Sequence, residues 1–168
     1  MRANLPTDRI GFIALAFLGI SVLIHLVGGL TELYAVLTSH GTIVYAALML
    51  IGVAIPIVVL GAMVSGVLQP RATYATLSGV MVLYIITYAD VHALGYLEAI
   101  TGADFHTHDH NGHEHNGHEH NGHGDHDHGE SVLNTVGDHL VDDPVALISK
   151  VSEAAAAIFF ALLATREQ

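Results

Sequence analysis

Apolar residues run in four long blocks, 10–30, 43–68, 74–100 and 145–164. At 1.5 Å per residue, each is long enough to cross a hydrocarbon core of about 30 Å. The pattern predicts an all-α membrane protein. Four transmembrane helices, about 10–37, 42–68, 72–100 and one from 144 onward, form an antiparallel bundle. A long disordered histidine-rich loop joins the third to the fourth. The first block is too long for the core of a signal peptide, and no small-residue cleavage site follows it, so it is expected to remain as an anchor.

The polar punctuation agrees with this division. The short connection 38–42 predicts that the first two helices pair tightly, and Gln69-Pro70-Arg71-Ala72 predicts the same for the second and third, with Pro70 as the breaker. Thr101-Gly102 reads as a glycine C-cap. Asp143-Pro144 reads as an N-cap followed by proline in the first helical position. The chain thus divides into a three-helix segment (1–101), an acidic loop (102–143) and a fourth helix with a short tail (144–168). Within the loop, Val132, Leu133, Val136, Leu140 and Val141 fall at helical spacing, which predicts a short amphipathic helix over 131–142 on the membrane surface.

Composition sharpens the picture. Of the 168 residues, 52% are hydrophobic and 12% charged, with mean hydropathy +0.52; a soluble domain carries about twice that charge. Cysteine is absent, which removes disulfides, thiolate metal sites and cysteine nucleophiles. Acidic residues outnumber basic ones 16 to 5, and ten of the acids lie between Asp104 and Asp143. That excess argues against nucleic acid and anionic lipid as partners on the loop side, and it would suit a salt-loving organism. Arg2, Arg9, Arg71 and Arg166 all fall on one side of a four-helix arrangement. The positive-inside rule therefore predicts a multi-pass cell-membrane protein with cytoplasmic termini and an extracytoplasmic loop.

The candidate chemistry begins in that loop. Ten of the fourteen histidines (His106, His108, His110, His113, His115, His118, His120, His123, His126 and His128) lie in one tract built on a five-residue His-Asn-Gly-His-Glu repeat. Neutral imidazole is the commonest protein ligand for zinc, nickel and copper(II). The tract has no apolar residues with which to build a core, so it is expected to be disordered without metal.

Ionisable residues inside membrane segments are costly and point to function. His25, Asp90, His92 and Glu153 all fall in the half of the bilayer nearest the loop, by their distance along the helices. They are candidates for a mixed nitrogen/oxygen metal site or for interhelical hydrogen bonding, with Lys150 as the charge partner of Glu153 or Asp90. Asp90 and His92, two residues apart, diverge by about 160° and cannot both point straight at one ion. Ser21, His25, Gly28 and Glu32 share a stripe, as do Tyr84, Tyr88, His92 and Tyr96, and as do Ser149, Ser152, Glu153 and Ala156. The alanines 154–157 would let a neighbouring helix approach closely. Glu32, His40 and Glu98 read as solvated helix ends. Met49, Met63 and Met81 form no thioether cluster in sequence, which lowers the case for copper(I).

In the histidine-rich loop alone, the chain resembles zinc-importing ZIP proteins and cation diffusion facilitators. Their tracts are cytoplasmic, this one is predicted outside, and their paired metal-binding helix motifs are missing here, so no residue roles carry over. The expected function is handling of a divalent transition metal at the outer face, zinc first, then nickel, cobalt or copper(II), as a transporter component, buffer or sensor. No enzyme motif is present. Four helices are few for a self-sufficient transporter, so a homo-oligomer or a partner membrane subunit is expected. The alternatives are a haem-bearing subunit using His25 and His92, or a structural accessory subunit of a larger complex.

Overall fold

The computed structural model describes residues 9–38, 42–102 and 132–166, and among these every regular element is helical. Helix α1 is Arg9–Leu37, α2 is Ile43–Val64 and α3 is Pro70–Ala89. A wider five-residue π turn, Asp90–Leu94, extends α3 and leads into the short α4, Tyr96–Thr101. After the tract come α5, Val132–Asp142, and α6, Pro144–Arg166. Four stretches are long and apolar enough to cross a membrane: α1, α2, α3 with its π turn, and α6. The disorder expected of the histidine tract concerns residues outside those described.

Local chemistry sets the helix ends. The second helix stops at Val64 rather than near 68 because Gly66 turns left-handed at φ +79°. The Gly66 and Val67 amides then return to the carbonyls of Met63 and Ala62 at 2.9 and 2.8 Å. The third helix starts at Pro70 itself, not two residues later, since a proline in the first helical position loses no helical hydrogen bond. Asp143 caps α6 as expected, accepting the amides of Val145 and Ala146 at 2.9 and 3.0 Å.

The third span departs furthest from expectation. It does not continue as one helix to residue 100. The Gly95 amide reaches back five residues to the Asp90 carbonyl at 2.7 Å, and Gly95 itself is left-handed at φ +70°. The helix is interrupted there, and the Asp90 carboxylate receives the Leu97 amide at 2.7 Å, at the start of α4. One aspartate thus supplies an acceptor on both sides of the break.

Packing order does not follow chain order. The most extensive contact is between α3 and α6; α1 lies against both α2 and α6; α2 and α3 touch little. The tight pairing expected of the second and third helices from their short connection is therefore corrected: α6 packs beside α3 instead. Its buried stripe, including Ser149, Ser152, Glu153, Ala156 and Phe160, explains why. Ala156 and Ala157 are small enough for α3 to come close, and the Ser78 hydroxyl donates to the Ala157 carbonyl at 2.9 Å. Tyr74 against Phe160 and Tyr88 near Lys150 show that the two helices run antiparallel. Phe17 against Phe159 and Ser21 on Glu153 show the same for α1 and α6.

At the end of the bundle that carries the termini, the interior is apolar. Ala14, Leu18, Met63, Leu77, Met81, Phe160 and Leu163 interlock there, with the Tyr74 and Phe160 rings stacked at 6.2 Å. Association of helices in lipid rests on such close van der Waals contact rather than on removal of apolar surface from water. Phe12, Leu23, Ile57, Val58, Leu83 and Ile158 stay exposed on the outside, where lipid would cover them. At the opposite end, α5 rests on the π turn and on the start of α6.

Candidate functional site

The polar residues of the membrane segments gather at the loop end, around a half-enclosed cavity of about 160 Å³ between α1, α2 and α3. It occupies the seam where α2 and α3 diverge. Ile51, Ile55 and Leu83 are among its apolar walls, and His25, Tyr45, Tyr84, Thr87, Tyr88, His92 and Lys150 are the polar residues that line it.

Pro56 and Gly52 shape one wall. Pro56 has no amide hydrogen, so the Gly52 carbonyl, four residues earlier in α2, loses its helical donor. The Tyr84 hydroxyl donates to that carbonyl across the α2–α3 seam. Gly52 also has no side chain, and a Cβ there would lie 3.0 Å from Cδ2 of His25. The glycine therefore lets the imidazole pack close against α2, with its ring centroid 5.0 Å from that of Tyr84. Further along, Gly29 performs a similar service between α1 and α2, since a Cβ would fall 2.9 Å from Leu50.

Behind His25 lies a sealed carboxylate. Glu153 is fully buried, and its oxygens are heavily used. Oε1 accepts from Ser149 at 2.9 Å, from Lys150 at 2.9 Å and from Ser21 at 3.3 Å, while Oε2 accepts from Lys150 at 2.7 Å. The pairing of Lys150 with Glu153, foreseen from their three-residue spacing, is direct and nearly dehydrated. The Lys150 ammonium also lies 5.1 Å from the centre of the Tyr88 ring, a cation–π contact. Nε2 of His25 stands 3.9 Å from Oε1 of Glu153, beyond hydrogen-bond length.

Both membrane histidines are oriented in the same way. Nδ1 of His25 lies 2.9 Å from the Ser21 carbonyl, and Nδ1 of His92 lies 2.9 Å from the Tyr88 carbonyl. A carbonyl only accepts, so each Nδ1 is the donor and each Nε2 carries the lone pair of the neutral ring. His92 stacks on Tyr88 at 4.1 Å and meets the exposed His139 of α5 edge to face, with ring centroids 5.2 Å apart.

The four candidate residues of the membrane site therefore do not converge. His25 and Glu153 meet, with Lys150 already on the carboxylate. Asp90 is turned to the amide of Leu97, and His92 stands at the cavity lip. Among the described residues, no group of three or more histidine or carboxylate side chains is gathered for an ion. Sequence reasoning missed His139, which the amphipathic pattern put on a helix without showing where that helix docks. It also missed the Gly52–Pro56 spacing, although a glycine four residues before a helical proline was the signal available. The ten tract histidines lie outside the described residues.

Comparison of the chain with protein-family models, with curated proteins and with solved structures found no match.

Proposed function

We propose that the chain handles divalent transition metal, zinc first, at the outer face of a cell membrane, with its termini in the cytoplasm and the histidine tract outside. One observation carries this reading. The tract is tied at both ends to the lip of the cavity: it leaves after α4 and returns at α5, and both of these helices contact the π turn that holds His92. Ten imidazoles on a segment whose flanking helices meet at this turn would raise the local concentration of metal there by multivalent weak binding. Nickel, cobalt and copper(II) suit the same donors and are secondary candidates. The cavity is smaller than the roughly 300–1,000 Å³ of pockets that take drug-sized ligands, which favours an ion with its waters over a haem. The rings of Tyr84 and Tyr88 also stand against the two histidines that a haem would need.

A second reading, a structural subunit of a larger membrane assembly, draws on the Glu153 cluster, whose hydrogen bonds are satisfied between α1 and α6. In that case a homo-oligomer or partner subunit would cover part of the exposed apolar surface.

The test is elemental analysis of the detergent-purified chain equilibrated with micromolar zinc. The expected result is several zinc ions per chain, falling to one or none when the ten tract histidines are changed to asparagine. Failure of the unaltered chain to retain zinc at neutral pH would overturn the metal reading and leave the structural one.

A further inference from the structure

We infer that the cavity between α1, α2 and α3 binds a small uncharged ring bearing conjugated carbonyl oxygen, of the quinone type, which reaches it from the hydrocarbon of the bilayer. The inference goes beyond the metal-handling reading and does not depend on it, because every residue it uses lies in the helices, outside the tract.

Access comes first. Ile51 of α2 and Leu83 of α3 both line the cavity, and both are more than half exposed on the outer surface of the bundle. Those two helices touch little. The mouth therefore lies in the α2–α3 seam, between two apolar side chains at the level of the spans, where lipid rather than water would meet it. A ligand that enters there has to dissolve in hydrocarbon and so carries no net charge.

Size and wall chemistry narrow the class. The volume of about 160 Å³ is close to the roughly 150 Å³ of an engineered apolar cavity that takes up benzene, so a single ring fits. Five of the lining residues are themselves aromatic: His25, Tyr45, Tyr84, Tyr88 and His92. Four of them stand as neighbours in pairs, His25 with Tyr84 and Tyr88 with His92. Aromatic walls meet a flat conjugated ring edge to face or in offset stacks, a gain that a saturated lipid chain does not share.

The polar end selects the substituent. Lys150 lines the cavity, whereas its partner Glu153 is fully buried and does not. The ion pair thus presents its positive end to the occupant. Its field acts on a neighbouring dipole whether or not an N–H is free, and it is little weakened among apolar walls. Electron-rich oxygen on the ring is drawn to that end. A conjugated carbonyl supplies such an oxygen without adding a charge.

The full-length chain, purified in detergent and isotope-labelled at its methionine methyls, is titrated with tetramethylbenzoquinone and followed by NMR. The ring carbons of this probe are all substituted, so it does not add to Lys150. Tetramethylbenzene, a methylated ring without the oxygens, is the control. Met49 lines the cavity, whereas Met63 and Met81 are buried in the core at the other end of the bundle. The expected result is a saturable shift of the Met49 methyl with Met63 and Met81 unmoved, and binding of the quinone at least fivefold tighter than that of the hydrocarbon. Ile51→Trp and Leu83→Trp, both at the mouth and on the exposed surface, should each abolish the Met49 shift; either one suffices if the other fails to fold. In the double variant Lys150→Met with Glu153→Met, the two probes should bind equally. A Met49 shift that is absent, or that rises linearly together with those of Met63 and Met81, would mean that the probe only dissolves in the detergent and would overturn the site. Equal affinity for the two probes in the unaltered chain would make the cavity a slot for hydrocarbon and overturn the carbonyl class. A Met49 shift undiminished in both tryptophan variants would place the ring elsewhere.

Discussion

The two ends of one bundle solve opposite problems with the same helices. At the termini end, α1, α3 and α6 close on Leu18, Leu77, Met81 and Phe160 without a charged group among them. At the loop end they hold a fully buried carboxylate, an ammonium and an imidazole, and α2 stands away from α3 far enough to leave a cavity. The difference lies in a few residues. Gly29 and Gly52 let α1 close on α2 and the alanines of α6 let α3 close on α6, while α2 and α3 touch little beyond contacts such as the Tyr84 hydroxyl on the Gly52 carbonyl. A bundle can thus seal one end by shape alone and keep the other open, provided that every polar group at the open end finds a partner.

The strongest way to break the contrast is to attack each end by its own principle. Phe160→Ala at the sealed end should cost about 3–5 kcal/mol by leaving a cavity. Lys150→Met at the open end should cost a similar amount, about 3–5 kcal/mol, because Glu153 would remain buried without its cation. The two should differ in rescue. Adding Glu153→Met to Lys150→Met should recover most of the loss, since a buried pair replaced by apolar groups is often neutral. Chemical unfolding in detergent micelles checks all three; a double variant no more stable than Lys150→Met would show that the pair is not the main role of Glu153.

Next in size is the seam between α2 and α3. Tyr84→Phe should cost about 1–3 kcal/mol, the penalty of an unsatisfied buried carbonyl at Gly52. Pro56→Ala should restore an amide donor to that carbonyl within α2, so the cost of Tyr84→Phe should shrink to a few tenths in that background. Equal costs in both backgrounds, measured as a double-mutant cycle, would mean that the hydroxyl does not serve the carbonyl freed by the proline.

The smallest effect on stability is expected at the lip. Asp90→Ala removes the acceptor of the Leu97 amide and should cost about 1 kcal/mol, as loss of a helix cap does. Amide hydrogen exchange should speed up in α4 and leave α6 unchanged; faster exchange throughout the bundle would give Asp90 a larger part than capping. Function should be more sensitive than stability at this end. Imidazole binds metal only when neutral, so zinc retained by the tract should fall as pH drops below about 6.5, read by elemental analysis after equilibration at pH 5.5 and 7.5. Retention that does not change over that range would show that carboxylates, not imidazoles, hold the ion.

Much of the architecture was legible because the bilayer imposes a length. Blocks of about twenty apolar residues, Pro70 and Asp143-Pro144 place the spans and several of their ends through local rules of backbone geometry and capping, while Gly102 ends only the short α4. The pairing of Lys150 with Glu153 was legible for the same reason, since three residues along a helix bring side chains together. What the order of residues could not express was which helix packs beside which. That choice depends on the shapes of faces far apart in the chain, such as Ala157 against Ser78 or Gly52 against His25. Asp90 looked like a ligand because an acid in a span is costly, and only the break at Gly95 revealed the amide that it satisfies. His139 was invisible as a partner of His92 because 47 residues separate them, and their meeting depends on how α5 docks on the π turn. Sequence alone determined the spans, the charge asymmetry and the histidine-dense tract, which follow from local composition. Tertiary structure decided which polar groups are occupied within the bundle and which pair of imidazoles stands together at its lip.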